Sequence, residues 1–228
     1  MEQAKYLGND ITNIPAGWKK DTKCKRAIFI ERNIEINQEF PSAHPEIKCR
    51  INRIYNSSFP GSVLYDLTSE PARQLVNSWS VSVRQMWGLP MQSHRYLIEP
   101  LAGDHAQAML VSRFVKFIQN IKKSPKLATQ FMLQKVMNNV ITVTGRNVRL
   151  VKDMIGHDFD ILTINPMWLK KKIKFNEISD DQKWRINVIK EIVNINQNVL
   201  ELTPTEDEED SFLTGAELQD ILDFVSSS

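Results

Sequence analysis

The chain has 228 residues, of which 42% are hydrophobic and 25% charged, enough for one or two helical units with a real core. Eight glycines and ten prolines argue against a low-complexity or all-β chain. Cys24 and Cys49 form no CxxC pair, so neither a zinc ribbon nor a disulfide framework is encoded.

The formal charge of +2 conceals an asymmetry. Residues 201–228 hold nine acids and no Lys or Arg, which leaves 29 bases against 18 acids in residues 1–200, a net of +11. Between His105 and Lys152 lie nine bases and no acid: Arg113, Lys116, Lys122, Lys123, Lys126, Lys135, Arg146, Arg149 and Lys152. A basic body of this kind points to a polyanion partner; a solvated face that keeps the protein soluble is the alternative. No apolar run approaches the roughly 18 residues that a membrane span needs. The N-terminus, MEQAKYLGND, has the pattern of neither a signal peptide nor an Arg-rich transit peptide. The expectation is an intracellular protein of nucleus or cytoplasm, in a reducing compartment and without membrane association.

In residues 1–18, Asn9-Asp10 and Asn13 to Gly17 carry turn chemistry consistent with a short β-hairpin. Residues 21–40 predict a helix that begins near Asp21 or Thr22. Ala27, Ile30 and Ile34 share one face, and Phe29, Ile36 and Phe40 widen the stripe. Lys19, Lys20, Lys23, Lys25 and Arg26 crowd its first turns, where the helix dipole favours acids. A nearby phosphate backbone would make that arrangement tolerable, and so would screening of exposed lysines. Pro41 ends the helix and His44-Pro45 begins the next, with Ile47, Ile51, Ile54 and Tyr55 as its apolar stripe. The short connection implies antiparallel neighbours.

The best-defined helix lies within Asp66 to Tyr96. Leu75, Val76, Trp79, Val83, Met86 and Trp87 stack on one face at helical spacing. Ser69 can cap its start, Pro71 suits the first turn, and Gly88 with Pro90 stops it. Two tryptophans on one stripe read as core, with a stacking platform for bases or a partner as the other possibility. Residues 94–103 predict a short helix closed by Gly103; His94 and His105 have no further ligands at metal spacing. Residues 105–122 predict an amphipathic helix on Leu110, Phe114, Phe117, Ile118 and Ile121, with Lys116, Lys122 and Lys123 off the stripe. Pro125 opens another, with Ala128, Phe131, Met132 and Val136 facing inward until Thr144-Gly145 breaks it. Val148, Val151, Met154 and Ile155 then make a short basic helix.

Residues 156–176 are less regular. Trp168 to Lys174 sets four lysines beside one aromatic, which suits phosphate contacts with base stacking and equally an ordinary lysine surface. Ser179 and Gln182 form a capping box for a helix carrying Trp184, Val188, Ile189, Ile192 and Val193. Residues 203–211 are a charged linker. A second capping box, Thr214 to Glu217, precedes a short stripe of Leu218, Ile221, Leu222 and Val225, which needs the body or a partner to dock on. Asp180-Asp181 sits at a helix start, where capping explains it better than catalysis. Asp158 and Asp160 lack a third acid, and no Walker loop, GxGxxG, GxSxG or HExxH occurs. No catalytic residue, metal or cofactor is expected.

Three segments carry a resemblance: SSFPGSVLYDL (57–67), SVRQMWGLP (82–90) and SHRYLIEPLAGD (93–104). With this spacing they resemble the region downstream of the polymerase domain in non-LTR (LINE-type) retrotransposon reverse transcriptases. That family carries runs close to Y-G-S-x-L-W-D-L, W-x-x-A-V-R-x-x-W-G-L-P and T-H-R-x-L. This chain departs from the pattern at Pro60, Tyr65 and Ser82. Lys5-Tyr6-Leu7-Gly8 resembles the family's K-x-L-G primer-grip element, and the closing runs KWRINVIKEIV and LTGAELQDILDFVSSS resemble the ends of such reading frames. The resemblance covers nearly the whole chain but only the tail of the family protein.

What it implies is a mainly α, multi-helix bundle with a short N-terminal β-hairpin and an acidic C-terminal helix. Residues 1–60 would form the primer-grip hairpin and thumb-like helices, 61–200 a basic helical domain, and 201–228 the acidic linker and helix. The implied activity is binding of a template–primer, RNA or an RNA–DNA duplex, without the palm's catalytic Asp pair. The contacts would come from Lys5, Tyr6, Gly8, Lys19, Lys20, Lys23, Lys25, Arg26, Arg113, Lys116, Lys122, Lys123, Arg146 and Arg149. The alternatives are a non-enzymatic helical interaction module, with a protein partner for residues 214–225, and a non-functional relic of such an element.

Overall fold

The computed structural model describes residues 3–6, 9–12, 17–56, 59, 61–103, 105–157, 159–174 and 178–201. Within them the chain is mainly helical. Strands β1 (Gln3–Tyr6) and β2 (Asn9–Thr12) run antiparallel, with Tyr6 opposite Asn9. The helices are α1 (Gly17–Glu39), α2 (Pro45–Ile51), α3 (Glu70–Met86), α4 (Arg95–Ala102), α5 (Ala106–Lys122), α6 (Leu127–Met137), α7 (Val143–Ile155), α8 (Pro166–Lys174) and α9 (Asp180–Glu201). A π turn over Asn52–Asn56 continues α2, and a 3-10 turn spans Ser62–Leu64. No helix among the described residues is long and apolar enough to cross a membrane. Gly8 and the acidic segment 203–228 lie outside the described residues.

Two packing units are built from interleaved segments. The first comprises Met1–Glu31, Ser57–Trp79 and Asp104–Phe175; the second comprises Arg32–Asn56, Ser80–Gly103 and Asn176–Ser228. In the first, α5 packs against α6, α8 and the 3-10 turn, and α7 against α6 and α8. In the second, α4 packs against α2 and α9.

α3 forms as its sequence predicts. Ser69 Oγ accepts from the Ala72 N–H at 3.4 Å, satisfying one of the orphan donors of the first turn. Gly88 adopts φ 62°, and the Leu89 N–H then reaches back to the Arg84 carbonyl at 2.9 Å, closing the C-terminus. All six stripe residues are buried, so Trp79 and Trp87 are core rather than a stacking platform. Each buried apolar side chain of this kind contributes about 1.5–3 kcal/mol. α5 follows the same logic, with Leu110, Phe114 and Ile118 inside and Lys116 and Lys122 outside.

α1 corrects the expectation. It starts at Gly17, and the Ala27, Ile30 and Ile34 face is the solvent side, with Ile34 48% exposed. The inward side carries Thr22, Arg26, Phe29, Asn33 and Ile36, a 4-3-4-3 spacing as regular as the apolar one but half polar. The polar members are tolerated because they are paired. Arg26 Nε donates to Ser78 Oγ at 2.8 Å, and the neighbouring Asp21 accepts from the Tyr65 hydroxyl at 3.1 Å. Asn33 donates to Gln85 at 2.8 Å and accepts from the Ser82 hydroxyl.

α2 repeats the pattern in the second unit. His44 caps it, Nδ1 accepting from the Glu46 N–H at 3.2 Å, and Pro45 occupies the first turn as expected. The expected stripe of Ile47, Ile51, Ile54 and Tyr55 is not core: Ile54 is 71% exposed, and Ile47 and Tyr55 also face out. Lys48, Cys49, Asn52 and Asn56 are inside instead. Asn52 donates to Ser82 at 3.1 Å and Asn56 to Asn52 at 2.9 Å, which extends the Asn33–Ser82 pair into a buried polar chain. Burial pushes the Cys49 thiol up to about 11, so it is an inert core group.

Further corrections concern α6 to α9. α6 ends at Met137, and of its residues only Leu133 is buried; Ala128, Phe131 and Met132 face solvent. Thr144-Gly145 does not break a helix but lies inside α7. Thr142 caps that helix, its hydroxyl accepting from the Gly145 N–H at 3.0 Å. A Cβ at Gly145 would run into the Asn139 carbonyl, so this glycine permits a close approach of backbone. Residues 166–174, read as irregular, form α8. The capping box of α9 is reciprocal, Gln182 N–H to Ser179 Oγ at 3.2 Å and Ser179 N–H to Gln182 Oε1 at 3.1 Å. Ile189, Ile192 and Val193 are buried, whereas Trp184 is exposed.

Candidate nucleic-acid interface

The acid-free stretch 105–152 forms α5, α6 and most of α7, all in the first unit. On α5 and its C-cap, Arg113, Lys116, Asn120 and Lys123 recur at i, i+3, i+7 and i+10 and so share one face. Lys116 and Lys123 are exposed and Arg113 is half-buried. Lys122 falls on another side of the helix and is exposed there. On α7, Arg149 is exposed, one turn beyond Arg146. Among the described residues no carboxylate pairs with Lys116, Lys122, Lys123 or Arg149. Unpaired, solvated cations are what a phosphate backbone neutralises with release of counterions.

Arg146 has a different occupation. Its Nε and one terminal nitrogen donate to Asp66 Oδ2 at 2.9 and 2.7 Å, and the other terminal nitrogen donates to the Ile141 carbonyl at 2.6 Å. Asp66 Oδ1 meanwhile accepts from the Thr68 hydroxyl at 2.6 Å. Burial pushes the Asp66 carboxyl upward, but the Thr68 and Arg146 hydrogen bonds outweigh it and hold the group below the usual carboxylate value. Asn147, buried beside Arg146, donates to the Tyr65 carbonyl at 2.8 Å and accepts from the Leu67 N–H at 2.9 Å. Tyr65 is itself buried, and burial first, then Asp21, raises its phenol. The Tyr65 to Leu67 run is therefore clamped in place: Asp21 holds Tyr65, and α7 holds the backbone and Asp66. The role of Asn147 had no local signal in the sequence, since its partners lie some 80 residues away.

The α1 cations differ in exposure. Lys19, Lys20 and Lys23 are exposed and Lys25 is half-buried, while Arg26 is engaged by Ser78 and by Gln74 at 3.4 Å. Lys5 and Tyr6 lie on β1, and Gly8 lies outside the described residues. On α8, Lys171 and Lys172 are exposed, and Trp168 rests against Phe159 at 5.3 Å between ring centroids. His105 is buried and caps α5, Nδ1 accepting from the Ala108 N–H at 3.1 Å.

A groove of about 560 Å³ adjoins this surface, lined by residues from the end of α5, from α6 and α7, and from the 160–162 segment. Lys122 and Lys152 stand in its lining with Leu127 and Phe131. The sequence gives Leu127 no role and counts Phe131 as core, because helical spacing alone does not tell an inward face from an open one. Asp180 and Asp181 are held by their own helix, by Lys183 at 2.7 Å and Arg185 at 3.0 Å. Among the described residues no three His, Cys, Asp or Glu side chains gather closely enough to hold a metal ion. Comparison with protein-family models, with curated proteins and with solved structures returns no match.

Proposed function

We propose that this chain holds a nucleic acid, as the primer-grip, thumb and downstream region of a non-LTR-type reverse transcriptase would hold its template–primer, and that it takes no part in the polymerase chemistry. The observation that carries this reading is the acid-free stretch 105–152, in which Lys116, Lys122, Lys123 and Arg149 are exposed and, among the described residues, have no carboxylate partner. Lys19, Lys20 and Lys23 at the start of α1 add a second group of exposed cations. In this reading the hairpin of β1 and β2 takes the place of the primer grip. Arg26 and Arg146 organise the scaffold rather than meet phosphate.

Fluorescence anisotropy with a labelled RNA–DNA duplex tests it. About four phosphate contacts predict a slope of about −3 to −4 in log affinity against log salt, roughly a hundredfold loss between about 50 and about 200 mM. Absence of binding at low salt, or binding indifferent to salt, would refute it. A second reading, a helical module that docks on protein, is favoured by one observation: Ile47, Ile54 and Tyr55 stand exposed along α2 and its π turn.

A further inference from the structure

We propose that the groove on the first unit is a docking site for an acidic amphipathic helix of a partner protein, a site that adjoins the phosphate-binding surface and shares Lys122 with it. Leu127, Gln130, Phe131, Gln134 and Asn138 recur at i, i+3, i+4, i+7 and i+11, and all five line the groove. A whole face of α6 is thus turned to the groove, while the helix buries only Leu133. Leu127 is 79% and Phe131 57% exposed, so two apolar side chains one turn apart stand open at the groove. The face from Leu127 to Asn138 is about 16 Å long, which matches about three turns of a second helix. Such a helix would present its apolar residues at i, i+3, i+4 and i+7.

Charge specifies the rest of the partner. Lys122 and Lys152 line the groove, and Lys126 and Lys135 stand exposed along α6. Among the described residues Asp160 is the one carboxylate in the lining, and it is turned to its own backbone, accepting from the Leu162 N–H at 3.0 Å. An apolar slot bordered by lysines complements a helix whose flanks carry Glu and Asp. Nucleic acid fits the same place less well. The Lys135 ammonium covers one face of the Phe131 ring at 4.8 Å from its centroid, which denies that face to a stacking base, while the side chain stays 57% exposed to an apolar contact.

The test uses the full chain and a fluorescein-labelled synthetic helix with Leu at i, i+3, i+4 and i+7 and Glu at the remaining positions. A control peptide carries Lys in place of every Glu. The acidic peptide should bind saturably and the control should not. Loss of an aromatic anchor should weaken binding about tenfold in Phe131→Ser, and Lys152→Glu should weaken it comparably. Ile141→Ser, exposed and outside the groove lining, should leave affinity unchanged. Unchanged far-UV circular dichroism keeps the Phe131→Ser result interpretable. Equal binding of the two peptides, no saturable binding, or an affinity indifferent to Phe131→Ser would overturn the proposal. An RNA–DNA duplex whose affinity fell in Phe131→Ser while the peptide's did not would also overturn it, by giving the groove to nucleic acid.

Discussion

In α3 the buried side is a stripe of leucine, valine, methionine and tryptophan, and its two buried serines, Ser78 and Ser82, lie beside that stripe and hydrogen-bond to α1. In α1 the isoleucines at 30 and 34 face solvent, and an asparagine, a threonine and an aspartate are buried. α3 gathers its apolar residues on one side, so hydropathy sets its inward face, whereas α1 spreads them around the helix and its neighbour decides. Across from α1 stand Ser78, Ser82 and Gln85, hydrogen-bonding groups that satisfy Arg26 and Asn33. A buried polar group without a partner costs about 1–3 kcal/mol, whereas a paired one is close to neutral, so pairing decides which stripe goes inside.

Three substitutions break or sharpen that contrast. The largest effect belongs to Trp87→Ala, which empties a fully buried site at the end of the α3 stripe; urea unfolding should show a loss of about 3–5 kcal/mol. A loss under about 1 kcal/mol would mean that Trp87 is not core. Asn33→Leu comes next. If α1 were an ordinary apolar-inside helix, the change would stabilise it. With Ser82 and Gln85 left without their partner it should destabilise by about 1–3 kcal/mol, and a raised unfolding midpoint would contradict the polar interface. Smallest is Ile34→Ser, on the open face, expected within about 0.5 kcal/mol of the parent. A large loss there would return that face to the core.

Local chemistry was readable from the residues. The Ser69 cap, the Gly88 stop, the His44-Pro45 start and the Ser179–Gln182 box each act over about five residues or fewer, and each stands in the structure as its spacing implies. The inward faces of α1, α2 and α6 were not, because the residues that decide them are distant in sequence. Asn33 meets Gln85 across 52 residues, and Arg146 meets Asp66 across 80. The same distance explains the cations. A count of bases finds the stretch 105–152 at once, yet it cannot tell that Arg146 clamps the Tyr65–Leu67 segment while Arg149, one turn on, points to solvent. The π turn after α2 left no sequence trace beyond two asparagines four residues apart, both of which it turns inward.

The salt slope of duplex binding, measured on the parent and on a Lys116→Ala, Lys123→Ala, Arg149→Ala triple variant, bears most directly on the central claim. If these side chains meet phosphate, the slope should become shallower by about 0.9 for each phosphate left unneutralised, roughly 2–3 in all, with affinity reduced for every sequence tested. A triple variant whose slope matches the parent's would show that the basic stretch does not hold the nucleic acid.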